Sequence, residues 1–147
     1  PGHLYWRIDT LLGLNSGGFE TSEIQLYANG VSKTLGLPRE PITFSSPDQN
    51  TNIKSRPCDG DLSPPPGGYY FAWQLEQGVP LSIVFELSEA AVINGGAIGM
   101  WDVGNDRYPT SCRLSWSDDG VAWAVVGAGS PVKPVTNYTL SPIFAFV

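Results

Sequence analysis

The chain has 147 residues, 41% hydrophobic, 12% aromatic and 15% charged, which excludes a disordered chain and suits one domain with a sizeable core. A net charge of −6 argues against nucleic acid or an anionic membrane as partner, because both are bound through Lys and Arg. No stretch approaches the roughly 18 continuous apolar residues of a spanning helix, so no membrane insertion is expected.

Taken in chain order, the apolar residues alternate with the period of two that sets one side of a strand against a core. Leu4, Trp6 and Ile8 share one face, with Tyr5, Arg7 and Asp9 on the other. Ile24 and Leu26 alternate with Glu23, Gln25 and Tyr27. Two polar, proline-bearing stretches, 36–52 and 56–68, connect strands within one domain. Leu81, Ile83, Phe85 and Leu87 form the cleanest inward phase, opposite Ser82, Glu86 and Ser88. Ile98 and Met100 lead into Trp101, and Cys112, Leu114 and Trp116 then alternate with Ser111, Arg113, Ser115 and Ser117.

Ser117-Asp118-Asp119-Gly120 follows, with Asp-Gly offering the positive φ of a tight hairpin turn, after which Trp123 and Val125 resume the apolar phase. Residues 143–147 supply a last strand. No helix-length window carries a 3.6-residue period, and the 17 glycines and 13 prolines suit strands and turns. The expected fold is a single all-β domain over residues 1–147, an antiparallel β-sandwich. Cys112 lies on an apolar phase, which favours a buried free thiol over a disulfide with Cys58.

The segment 109–123, with its Ser-Asp-Asp-Gly turn and Trp123, resembles the strand, hairpin and Trp-bearing return strand of the discoidin (coagulation-factor type C) family. Cys58-Asp59-Gly60-Asp61-Leu62-Ser63, with Phe71-Ala72-Trp73 beyond it, resembles that family's Asp-Gly loop and the Trp after it. Residues 81–87 resemble the next strand. Tyr5-Trp6-Arg7-Ile8 and Ser22-Glu23-Ile24-Gln25-Leu26-Tyr27 resemble the pair that ordinarily ends the domain. That pair comes first here, so the resemblance implies a circularly permuted jelly-roll of the galactose-binding-like kind. An inserted Pro64-Pro65-Pro66-Gly67-Gly68-Tyr69-Tyr70 departs from the family pattern in the Asp-Gly-Asp loop.

Asp59, Asp61 and Ser63 at alternate positions offer the hard oxygens that Ca²⁺ prefers, though Pro64 and Tyr70 exclude an EF-hand. The resemblance adds Glu23 to a structural calcium site; the alternative is an Asp-Gly turn that caps itself. Trp101, Asp102, Asn105, Arg107 and Tyr108 place flat aromatic and polar groups within one loop, with Tyr69 and Tyr70 in another. Aromatic faces meet the C–H faces of sugars, and the polar groups meet their hydroxyls. The alternative is that Trp101 and Trp73 close the core.

His3 is the sole histidine, and no Gly-x-Ser-x-Gly turn is present, so a Ser-His-Asp triad is not expected. No carboxylate pair is singled out among Asp59, Asp61, Asp102 and Asp106. The expected function is a non-catalytic, lectin-like module that binds a carbohydrate or glycoconjugate, with an extracellular or virion-surface setting such as a phage tail implied by the resemblance. The competing expectation is a structural domain that contacts other chains of an assembly.

Overall fold

The structure, a computed structural model, describes residues 1–13, 19–37, 43–44, 58–62, 71–73, 81–100, 103–104 and 108–147. Its strands are β1 (His3–Gly13), β2 (Phe19–Thr21), β3 (Ile24–Ala28), β4 (Val31–Ser32), β5 (Thr43–Phe44) and β6 (Phe71–Trp73). They continue as β7 (Leu81–Ala91), β8 (Gly95–Met100), β9 (Pro109–Ser117), β10 (Ala124–Gly129), β11 (Thr139–Leu140) and β12 (Phe144–Ala145). Among the described residues there is no helix, and none that could cross a membrane.

One antiparallel sheet runs β10-β9-β1-β7-β5, and a second runs β11-β8-β3-β4 with β12 also on β8. β2 and β6 form a separate ribbon. The two sheets share one core: Trp6, Ile8, Ile83, Phe85 and Leu114 come from the first, and Ile24, Leu26, Ile98 and Met100 from the second. The architecture is therefore all-β, two antiparallel sheets across one core, as in a β-sandwich. Each of these large side chains contributes roughly 1.5–3 kcal/mol by leaving water, so a Phe85→Ala cavity would cost about 3–5 kcal/mol.

The strand phases come out as the alternation requires for Trp6 and Ile8, for Ile83, Phe85 and Leu87, and for Cys112 and Leu114, all buried. Leu4 departs from its expected phase and is 39% exposed, because the β1–β7 register shifts between His3 and Tyr5 and breaks the alternation there. β3 departs differently, since Glu23, Gln25 and Tyr27 are buried along with Ile24 and Leu26. Both of its faces are covered, and a hydrogen-bonded chain makes the second face tolerable: Tyr27 Oη donates to Gln25 (2.7 Å), and Gln25 Nε2 donates to Glu23 (3.1 Å).

The glycines of β8 let neighbours close in. A Cβ on Gly96 would stand 2.9 Å from the Phe144 ring, and one on Gly99 2.9 Å from the backbone nitrogen of Glu23. Val147 exchanges backbone hydrogen bonds with Ala128 (3.0 Å each way) while Phe144 pairs with Gly96, so the last residues touch both sheets. Both cysteines are free and buried, and burial pushes the Cys112 thiol up to about 12.

Candidate functional site

Glu23 immediately precedes β3, and Gly99 of β8 donates its N–H to the Glu23 carbonyl (2.7 Å). This backbone bond fixes a carboxyl group with 0% exposure beneath the segment 58–62. Gly60, at φ +80°, turns its N–H onto Glu23 Oε1 (3.0 Å), and Gln25 donates to the same oxygen. Oε2 is buried without a hydrogen-bond partner. Burial pushes the carboxyl up to about 8 against the pull of the Gln25 and Gly60 hydrogen bonds, and the charges of Asp59 and Asp61 add to the rise. In this state the carboxyl holds a proton near neutral pH.

Asp59 Oδ1 accepts from Asp61 N–H (2.9 Å), the self-capped turn foreseen as the alternative to a metal loop. Among the described residues no three His, Cys, Asp or Glu side chains converge as a metal cluster. One feature bears on a hard cation: Oε2 of Glu23 is a buried oxygen lacking a hydrogen-bond partner, and the charges of Asp59 and Asp61 are near enough to raise its pKa. Ser63 lies outside the described residues.

β8, in the second sheet, ends at Met100, one residue beyond Gly99, and β9, in the first sheet, begins at Pro109. Trp101, Asp102, Asn105 and Arg107 lie outside the described residues, as do Tyr69 and Tyr70. Val103 and Gly104 between them are exposed and tied down, with Val103 N–H on Asn137 Oδ1 (2.7 Å) and its carbonyl accepting from Lys133 Nζ (3.3 Å). Tyr108 corrects the expectation of a ligand contact: it is 0% exposed, its hydroxyl donates to the Ile98 carbonyl (2.8 Å), and burial raises its pKa. It joins the two sheets at the core and has no surface to offer.

At the opposite end, the turn after β9 is a six-residue connection, 118–123, longer than the tight hairpin expected. Gly120 does adopt positive φ, at +74°. Asp119 Oδ1 organises the turn by accepting from Ser117 Oγ (2.9 Å), Val121 N–H (2.8 Å) and Ala122 N–H (2.9 Å), and these bonds hold its pKa down. Ala124 pairs with Trp116, so Ala124 takes the phase expected of Trp123 and Val125, and Val125 is 60% exposed. Trp116, Asp118, Asp119, Ala122, Trp123 and Ala124 line an open, solvent-facing cavity of about 370 Å³. The sequence places Trp116 on a core phase, which its partial burial against the core bears out in part, and weighs His3 only as a triad member; two tryptophans flanking an acidic turn were the available signal for this site.

A charge cluster around the buried Asp9 lies on one face of the first sheet. The register sets Asp9 opposite Ser82 on β7 and Arg113 on β9, with Arg7 two residues away on the same face. Arg113 Nε and Nη2 both donate to Asp9 Oδ2 (3.0 and 2.8 Å), and Ser82 Oγ donates to Oδ1. Arg7 Nε stands 3.2 Å from Oδ1, near enough for an ion pair though not aligned as a hydrogen bond.

No family model matches the chain, and no curated protein or solved structure is significantly similar to it.

Proposed function

We propose that this chain is a circularly permuted discoidin-like domain of the galactose-binding-like kind, acting as a non-catalytic carbohydrate-binding module whose rim, around residues 101–107, is braced by a calcium ion. The observation that supports this reading is the buried, unpartnered Oε2 of Glu23 beneath the Asp59–Asp61 turn and beside Gly99, one residue before the end of the strand that leads to residue 101. Glu23, with oxygens of Asp59, Asp61 and Ser63, would hold the ion, which supplies rigidity to the loops and takes no part in chemistry. In this reading Trp101 would supply a stacking face, and Asp102, Asn105 and Arg107 would supply hydroxyl partners. The net charge of −6 suits neutral glycans, and an extracellular or virion-surface setting goes with such a role.

The test is a glycan array with the full chain, with and without EDTA, repeated for Trp101→Ala. Binding to a defined glycan, with a component of it lost both in Trp101→Ala and in EDTA, supports the rim site and its calcium. Silence from a folded chain sinks it. A second reading, a structural domain in contact with other chains, draws support from Val121, Val125 and Val126, exposed on and beside β10. Light scattering that shows a stable oligomer, with those valines protected from hydrogen exchange, would favour it.

A further inference from the structure

The cavity at the hairpin end has the features of a ligand site and stands apart from the rim described above. Its volume of about 370 Å³ falls in the roughly 300–1,000 Å³ range of small-molecule sites. Two half-buried indoles line it, and a second side chain orients each. His3 stacks on Trp116 with ring centroids 3.5 Å apart and planes within 10°, and His3 Nδ1 lies 2.7 Å from Asp118 Oδ1. The Arg7 guanidinium sits 4.8 Å above the Trp123 ring. Rings held this way lose little freedom when a ligand arrives, which favours binding.

The polar groups at the cavity decide what kind of ligand fits. Asp119 spends Oδ1 on the turn, so Oδ2 keeps its capacity to accept, and Asp118, tied to His3 through one oxygen, is otherwise open to solvent. Carboxylate acceptors beside indole rings match a ring that is apolar on its face and hydroxylated on its rim. An acidic sugar would meet two like charges. Arg7 and His3 each cover one face of an indole, leaving the other for a ligand, and a compact organic cation there would be repelled by the Arg7 guanidinium across the Trp123 ring.

The geometry points to a second carbohydrate site, at Trp116, Trp123, Asp118 and Asp119, that takes an uncharged sugar ring. The site lies at the opposite pole of the sandwich from the 101–107 rim, because β9 begins at one end and runs into this turn at the other. Nine residues of strand separate the two ends by roughly 25–30 Å. One domain would then engage two glycans facing opposite ways, and multiple copies would gain avidity from that arrangement.

The two sites are separable by experiment. The full chain in EDTA is tested on an array of neutral, sialylated and uronic-acid oligosaccharides, and hits are titrated by tryptophan fluorescence. Wild type and Trp101→Ala are expected to bind the same neutral glycans in EDTA and no acidic ones. Trp123→Ala is expected to lower that affinity roughly tenfold, the scale of one lost aromatic contact, and Asp118→Asn to lower it less. Ala122→Arg, at an exposed position on the cavity wall, fills the site without removing a ring and decides the matter if Trp123→Ala does not fold. Neutral-glycan binding unchanged by Ala122→Arg overturns the hairpin site while leaving the rim site standing if Trp101→Ala abolishes it. No neutral glycan bound in EDTA also overturns it.

Discussion

Asp9 and Glu23 are two carboxyl groups removed from water to nearly the same degree, 1% and 0% exposed, yet their surroundings differ completely. Asp9 has Arg113 at 2.8 Å, Arg7 at 3.2 Å and a Ser82 hydroxyl, so both of its oxygens are engaged and its charge is matched. Glu23 has neutral donors on one oxygen, nothing on the other, and two aspartates nearby. A buried carboxylate needs a cation or a proton. In the first sheet the chain provides the cation from its own side chains; beside the second sheet it provides none, and burial holds a proton on Glu23 instead.

The contrast can be broken first at Asp9. Asp9→Ala leaves two guanidiniums around a vacated centre and should cost about 3 kcal/mol, the low end for a buried pair because the Arg7 and Arg113 side chains keep 24% and 37% exposure, read as a lower urea midpoint; a loss below about 1 kcal/mol would mean that water screens the cluster. Next comes calcium. At a concentration about a hundredfold above its dissociation constant it should add about 2.7 kcal/mol, seen as a raised Tm in wild type and absent in Glu23→Gln. An equal rise in both would remove Glu23 from the site.

The pH dependence sharpens the same point. In EDTA the folded-state pKa of Glu23 is raised from the unfolded 4.5 to about 8, so the folded chain holds a proton that the unfolded chain releases. This contribution to stability is fully present below pH 4.5 and is lost as pH rises towards 8, at a rate on the order of 1 kcal/mol per pH unit. Denaturant titrations at pH 5 and pH 8 should show it, and Glu23→Gln should flatten the slope. Smallest of all, Ser82→Ala should cost about 1 kcal/mol, one net hydrogen bond to Asp9, and a neutral result would mean that the two arginines suffice.

Alternation along residues 4–8, 81–87 and 112–116, with glycine and proline elsewhere, was enough to establish strands, an all-β class and most of the core, because burial on one face of a strand imposes a period of two. It could not register the bulge that turns Leu4 outward, the six-residue turn that shifts Val125 to solvent, or the covering of both faces of β3. Each of these depends on partners far along the chain. The same limit applies to the candidate groups: nothing local distinguishes Tyr108, which bonds to Ile98, from a tyrosine at a rim, or pairs His3 with Trp116 across more than a hundred residues.

By itself, then, the sequence determined which segments become strands, which residues face inward on most of them, and which residue types could meet a sugar or a cation. Only the tertiary structure decided that Asp9 would find two arginines, that Glu23 would find none, and that two tryptophans would frame a cavity around an acidic turn. Strand propensity and alternation are local, whereas the charge and solvent exposure of a buried group are set by whatever long-range register brings beside it.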